Sequence, residues 1–462
     1  MNRPVAEPSL AGRAAAFADR LCREVNLHGF LLSAGGSLVA GGTRRPFAFD
    51  RPHRLYSVSK TFTGIAVGML ADDGKLSLDD PVVKFFPDWL PPAPSGYLLR
   101  LKIRDMLRMA TCYRRTAYRE GTDENWALAF FTGVPDHEPG TVFSYDTGNS
   151  QVLAALVRRL SGLEVIDFLE ERLFRPLGCE DPRYWLRDPS GCCTGGTGLC
   201  MSLRDLHRTA QCLMDGGSGL VPAWYVREMS RKQIATDLQD KDEERYGYGW
   251  QCWRTRSGWS MYGMGGQLAV FCPEKKLLLS TVADTRLDPC GVQKIYNAFY
   301  EEIEPFVQPG GRYAGEPAAA PRLLDLPPML VPDDVTVVPS GLGEYVFPAG
   351  NALGLVSLRL GEEVLELVRS GGTACLRFRR GEALETGYPG HPDEPALVSA
   401  GWIGEGLLRI RCDAVGDSPC GFDMLVSLRG GGVTVQSRCS SDPLTAGYDG
   451  IASGTSAKGD PV

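Results

Sequence analysis

Leu55-Tyr56-Ser57-Val58-Ser59-Lys60-Thr61-Phe62-Thr63-Gly64 opens a stretch that carries no charge from 61 to 71 and stops at Asp73-Gly74. The stretch predicts a helix over about 58–72, ended by the Asp-Gly pair. If that helix begins at Ser57, then Ser57 and Lys60 share one face and the hydroxyl and amine come within reach. The helix N-terminus adds partial positive charge where an oxyanion would develop. A serine becomes a nucleophile only when a base takes its proton. A lysine can be that base once burial or neighbouring charge lowers its pKa. Ser-x-x-Lys alone decides little, because serine is common in this chain. Its surroundings carry the weight.

Upstream, Leu10, Ala14, Phe17, Leu21 and Val25 recur at helical spacing, which predicts a helix over about 10–26. Residues 29–33 and 38–40 flank Ala34-Gly35-Gly36 and read as a β-hairpin. Downstream, 75–230 is mostly helical, with helices predicted over 98–109 and 151–160, the second stopped by Ser161-Gly162. The Gly-rich stretch 191–198 lacks the Lys-Ser/Thr of a phosphate loop and leads into a helix cap at Ser202-Leu-Arg-Asp205. Short apolar runs at 246–254, 259–262, 267–272 and 277–283 read as antiparallel strands, followed by a helix over 290–303. Strands open and close this region and helices fill its middle. That order predicts one α/β domain over 1–307 with a helical insertion at about 75–230. The Pro/Gly/Ala-rich segment 308–334 reads as a linker. Strand-like runs near 353–360, 374–379, 396–402, 406–411, 422–428 and 432–437 predict a C-terminal β-barrel or sandwich over 335–450. Residues 451–462 read as a flexible tail.

Composition sets bounds. The 462 residues include 43% hydrophobic and 23% charged, with a net charge of −7 and a pI of about 5.5. That acidity argues against nucleic acid as a partner. The fourteen Cys form no C-x-x-C pair and the five His are far apart, so no metal or other cofactor is expected. The thiols fit a reducing cytosol. Arg3, Glu7, Arg13 and Asp19 interrupt any signal peptide, and no 18-residue apolar run occurs. A cytoplasmic protein without a membrane partner is expected. Neither Gly-x-Ser-x-Gly nor His-Glu-x-x-His occurs, which sets aside two common hydrolase routes.

Two further motifs follow Ser57 in order. One is Pro139-Gly140-Thr141-Val142-Phe143-Ser144-Tyr145-Asp146-Thr147-Gly148-Asn149; the other is Met261-Tyr262-Gly263-Met264-Gly265-Gly266-Gln267. With Asp73-Gly74-Lys75 and the segments 101–109 and 195–204, residues 25–305 resemble the β-lactamase-related serine hydrolases. That family pattern is Ser-x-x-Lys, Tyr-x-Asn and Lys/His-Thr-Gly. Members include class C β-lactamases, DD-peptidases, D-aminopeptidases, carboxylesterases and nylon-oligomer hydrolases. The resemblance implies a β-lactamase/transpeptidase-like antiparallel sheet flanked by helices, with an all-helical subdomain and here an added C-terminal all-β domain. It implies that Ser57 is acylated, that Lys60 is its general base, and that Tyr145 shuttles the proton to the leaving group and later activates water. A tyrosine beside a lysine is expected to have a lowered pKa. The implied oxyanion hole is the backbone N–H of Ser57 and of Met264. Thr147, Asn149, Tyr262, Gly263, Gly265 and Gln267 are the candidate substrate contacts.

Two positions depart from the family. Tyr-x-Asn is here Tyr145-Asp146-Thr147, and Asn149 either compensates or caps a helix. The third motif has Met261-Tyr262-Gly263 where Lys or His usually stands. The loss of that cation points away from efficient β-lactamase or DD-peptidase action and toward the esterase and amide-hydrolase branches. Trp250 and Trp253 precede this motif and either line the pocket or pack the core. The expected function is hydrolysis of a small ester or amide through an acyl-enzyme at Ser57. The alternative is a binding or regulatory module with a weakened site. The C-terminal β-unit carries no chemical motif, and a gating role at the active-site mouth is the expectation for it. Substrate identity and oligomeric state stay open at this level.

Overall fold

The computed structural model describes residues 9–115, 125–314, 320–335, 340–440 and 442–457. The helix Leu10–Glu24 begins at Ser9, whose side chain accepts from the Gly12 N–H, and buries Leu10, Ala14, Phe17, Ala18 and Leu21. Leu27–Ala34 and Ser37–Thr43 form the predicted hairpin, with Gly35 and Gly36 both at positive φ in its two-residue turn. Alternate residues of Leu27–Ala34 face two different cores. Phe30, Leu32 and Ala34 meet the Leu10–Glu24 and Gly291–Glu302 helices, and Leu31 faces the helix Val58–Asp72.

The central sheet has seven strands. Their order is Arg322–Asp325, Ser37–Thr43, Leu27–Ala34, Leu277–Ala283, Gln267–Cys272, Gly258–Gly263 and Trp253–Thr255. Neighbours are antiparallel except the first pair, where Arg322–Asp325 lies parallel to Ser37–Thr43. So part of the segment predicted as a linker is an edge strand, and the sheet is mixed rather than purely antiparallel. Residues 315–319 of that segment lie outside the described residues.

Val58–Asp72 is buried all round from Val58 to Leu70, as a helix at the centre of a domain must be. Its C-terminus closes on Gly74 at φ +70, with the Gly74 and Lys75 N–H groups returning to Ala71 and Leu70 carbonyls. Thr147–Ser161 packs beside it, capped by Asp146 and ended by left-handed Gly162. The insertion is not all helical. Tyr184–Trp185 and Leu199–Ser202 join Pro52–Arg54 in a three-stranded sheet. The predicted 98–109 helix is two helices, Gly96–Arg100 and Ile103–Leu107. Between them Leu101 and Lys102 run extended, because the Leu101 carbonyl accepts from Val82 N–H and Lys102 bridges Pro81. The predicted 246–254 strand shrinks to Trp253–Thr255. Gln251 is left-handed there, and its amide is turned inward onto Ser150 Oγ and the Met106 and Leu107 carbonyls. Among the described residues no helix is long and apolar enough to cross a membrane.

Beyond residue 340 ten antiparallel strands form a near-barrel. The order runs Gly372–Arg377, Val364–Arg369, Leu355–Leu360, Gly343–Val346, Gly450–Ser456, Gly432–Cys439, Cys420–Arg429, Leu407–Ala414, His391–Gly404 and Ala383–Tyr388. Inward residues such as Leu408, Ile410, Phe422, Met424 and Val426 alternate with outward ones and fill the interior. The expected flexible tail is in part a central strand of this sheet: Gly450–Ser456 pairs with Gly432–Cys439 on one side and Gly343–Val346 on the other. Small residues there let a polar-looking sequence pair on both edges. Residues 458–462 lie outside the described residues.

Candidate active site

Ser57 stands at the N-cap of Val58–Asp72. The residue before it, Tyr56, has φ +46, a left-handed conformation that a bulky side chain rarely adopts. Such backbone outliers concentrate at functional sites. One turn into the helix, Lys60 is buried. Its Nζ donates to Gly196 O at 2.8 Å, to Ser57 Oγ at 3.0 Å and to Thr147 Oγ1 at 3.3 Å. Burial pulls the Lys60 pKa down to about 7, against the opposing pull of Asp146.

The Tyr145 ring lies 5.0 Å from Lys60 Nζ. Trp253 stacks on it at 5.5 Å and Tyr248 meets it edge-on at 6.2 Å. These neighbours crowd the ring while 38% of the residue stays exposed; the partial desolvation raises the phenol's pKa, and a hydrogen bond with Ser57 pulls the other way more weakly. The lowered pKa expected from the sequence is therefore not what the structure has. Desolvation thus keeps Tyr145 a phenol.

Thr147 opens the Thr147–Ser161 helix and puts its hydroxyl on Lys60, so the position where the family has Asn still touches the lysine. Asn149 points elsewhere. It is fully buried, with Nδ2 on Met109 Sδ at 3.2 Å, and the cap of its helix is Asp146.

The third motif ends the strand Gly258–Gly263 and turns through Met264, Gly265 and Gly266 into Gln267–Cys272. At Gly263 a Cβ would sit 2.2 Å from the Leu55 carbonyl oxygen, so this strand lies against the backbone two residues before Ser57. Gly265 and Gly266 both have positive φ, as their turn requires. Gln267 does not face a substrate. Its Nε2 donates to the Met264 and Ala283 carbonyls and its Oε1 accepts from Ala283 N–H, which braces the turn from inside. Met264 is exposed at the mouth. The Tyr262 hydroxyl accepts from Lys241 Nζ at 2.8 Å, and Lys241 also pairs with Glu244 at 3.2 Å.

Several contributors carry little or no signal in the sequence. Gly196 supplies a carbonyl to Lys60, and the only hint was the glycine run 191–198: at Gly195 a Cβ would sit 2.4 Å from the Ser150 carbonyl oxygen. Lys241 reaches the third motif from a distant loop. Trp253 packs on Tyr145, whereas Trp250 packs on Tyr225 away from it. The C-terminal near-barrel borders the residues that flank Ser57 and the third motif. A cavity of about 670 Å³ is lined on one side by Arg54, Tyr56 and Met264 and on the other by Asp442, Pro443 and Asp449. No group of three His, Cys, Asp or Glu side chains among the described residues could hold a metal ion.

The chain is similar to known proteins in sequence and in fold. The chain is 28% identical over 204 residues to 6-aminohexanoate-dimer hydrolase of Paenarthrobacter ureafaciens, covering 41% of this chain and 52% of that protein. It is 27% identical over 211 residues to esterase EstB of Burkholderia gladioli, covering 39% and 53%. The chain thus spans about half the length of these relatives. The solved structure of SurE with D-Leu shares the fold along both whole chains, with a TM-score of 0.52 and 18% identity over 96% of this chain and 99% of that one. The family model described as Beta-lactamase matches residues 23–297, more than half of the chain, and the protein belongs to that family.

Proposed function

We propose that the protein is a serine hydrolase that forms an acyl-enzyme at Ser57 and hydrolyses a small ester or amide. The observation that carries this reading is the setting of Lys60: 3.0 Å from Ser57 Oγ and with a pKa near 7. A neutral amine has two protons and one lone pair. With the protons given to Gly196 O and Thr147 Oγ1, the lone pair faces the Ser57 hydroxyl and can take its proton. Ser57 Oγ then attacks the carbonyl carbon. The oxygen that becomes negative is met by the N–H groups of Ser57 and Met264 and by the N-terminus of Val58–Asp72. Tyr145, still a phenol, gives its proton to the departing alkoxide or amine and regains one from Lys60. In deacylation a water loses its proton to the same pair, attacks the acyl carbon, and Ser57 leaves with the proton returned. The names of the relatives, an amide hydrolase and an esterase, support a small ester or amide as the substrate class.

A second reading, a binding module with a weakened site, is favoured by two observations. Asn149 is turned into the core, and Tyr262 stands where the family's third motif is polar and preceded by a cation. Turnover of a short-chain p-nitrophenyl ester separates the two. The hydrolase reading expects wild-type rates at least about a hundredfold above those of Ser57→Ala and Lys60→Ala. Rates equal to those of the two variants establish the binding module instead.

A further inference from the structure

Gln251 is buried and left-handed, with φ +58. A residue with a Cβ keeps that conformation only where its surroundings over-determine it. Here every polar group of the residue is engaged. Its N–H donates to Leu107 O at 2.8 Å and its carbonyl accepts from Thr61 Oγ1 at 2.6 Å. In the side chain, Oε1 accepts from Ser150 Oγ at 2.6 Å, while Nε2 donates to the Met106 and Leu107 carbonyls at 3.2 and 3.1 Å. A primary amide can accept and donate in this way at once. An ionised carboxylate of the same length cannot donate, and a methionine of similar size does neither.

The partners belong to three separate elements that carry the site. Thr61 follows Lys60 in Val58–Asp72. Ser150 stands in the first turn of Thr147–Ser161, whose Thr147 hydroxyl meets Lys60. Met106 and Leu107 end the helix Ile103–Leu107, and the turn beyond them fastens the segment that leads into Tyr145. There Met109 O accepts from Ser144 N–H at 2.8 Å and Ala110 O accepts from Gly140 N–H at 2.7 Å. Met109 is itself buried and left-handed, with φ +57. The residue after Lys60 and the residue before Tyr145 are thus tied to one bracket, with Lys60 Nζ 5.0 Å from the Tyr145 ring. The bracket also lies close against the helix: at Gly64, one turn beyond Lys60, a Cβ would sit 3.2 Å from Gln251 Cβ and Cγ.

We propose that Gln251 is a positioning residue that sets the distance between Lys60 and Tyr145 and so governs proton delivery to the leaving group. This rests on the hydrolase reading above and deepens it. Ser57 and Lys60 stand one turn apart on a single helix, so they keep their 3.0 Å contact when the bracket is lost. The segment carrying Tyr145 belongs to another part of the chain and shifts against that helix. The serine stays activated while its proton donor drifts, and a small misplacement of a reacting group is costly. A departing alkoxide needs the proton from Tyr145. A departing p-nitrophenolate, a stable anion, does not.

The test compares p-nitrophenyl butyrate with ethyl butyrate, which share an acyl group and differ in the leaving group. It reads kcat/KM, which covers the steps up to acylation. The ratio, p-nitrophenyl over ethyl, is expected to rise about a hundredfold in Tyr145→Phe, which lacks the donor. In Gln251→Met it rises about tenfold or more, through misplacement of the same donor. In Ser150→Ala, which removes one hydrogen bond of the bracket, it rises about threefold. A merely structural role lowers both rates alike and leaves the ratio where it was. A ratio unchanged in Gln251→Met and Ser150→Ala while Tyr145→Phe raises it overturns the positioning role and leaves the hydrolase reading standing. A ratio unchanged in all three removes Tyr145 as the donor, and the positioning role with it. If Gln251→Met does not fold, Ser150→Ala decides alone: the threefold rise supports the role and an unchanged ratio overturns it. No wild-type turnover of either ester overturns the hydrolase reading and this inference together.

Discussion

Lys60 is buried beside a serine with no carboxylate in ion-pair contact among the described residues, and that is why its ammonium form is disfavoured. Its value falls from 10.5 to about 7, so the proton-accepting amine predominates above pH 7 and is lost below it. The kcat/KM for a neutral ester is therefore expected to rise with pH through a limb centred near 7. Asp146 is the charge that resists this lowering. Asp146→Asn keeps a competent helix N-cap and removes that charge, so the limb should move to lower pH in a pH–rate profile. A limb that stays put or moves upward would show that Lys60 is not the titrating base. Ser57, Lys60 and Tyr145 were legible in the sequence because helix spacing and motif order are local properties. Asn149 and Gln267 were misplaced as substrate contacts because side-chain direction depends on packing: one is drawn to Met109 and the other to the inner face of its own turn.

At the scale of elements, the site is the meeting of a helix start with a strand end. Gly263 permits it, since any Cβ there would collide with the Leu55 carbonyl oxygen. Gly263→Ala should push the strand Gly258–Gly263 away from Ser57 and draw Met264 N–H out of line with the helix N-terminus. The expected result is a kcat loss of about tenfold or more, the effect of losing one oxyanion donor being about a hundredfold, with far-ultraviolet circular dichroism unchanged. Wild-type kcat in that variant would remove the close approach from the mechanism. Most elements here were predictable from period and turn residues. Val58–Asp72 and the Leu27–Thr43 hairpin needed nothing more. The failures share one cause, hydrogen bonding across long sequence separation. Val82 straightens Leu101, Met106 and Leu107 hold the Gln251 side chain, and Gly450–Ser456 is a strand only because two partners flank it.

For the whole molecule, the N-terminal unit and the near-barrel share a buried polar contact. Asn26 Nδ2 donates to Asp413 Oδ1 at 3.1 Å while Arg411 grips the same carboxylate at 2.7 and 3.0 Å; Arg44 in turn donates to Asn26 Oδ1. Tyr184 OH donates to Asp417 Oδ2 at 2.9 Å nearer the mouth. Removing one partner of a buried pair strands the other charge, at a cost of about 3–5 kcal/mol. Asp413→Ala is thus expected to lower Tm and to split thermal unfolding, read by calorimetry, into two transitions. A single transition at the wild-type Tm would mean the two units are not coupled through Asp413. The existence of a separate C-terminal β-unit was readable from regularly spaced apolar runs. Its seat on the N-terminal unit was not, because contacts such as Asn26–Asp413 and Tyr184–Asp417 join polar residues separated by hundreds of positions.

The most direct measurement is covalent. A fluorophosphonate probe reacts with an activated serine, and peptide mass analysis locates the adduct. One adduct per chain on Ser57, absent in Ser57→Ala and slowed at least about a hundredfold in Lys60→Ala, is the expected result. Labelling at another residue, or equal labelling of wild type and Ser57→Ala, would contradict Ser57 as the nucleophile.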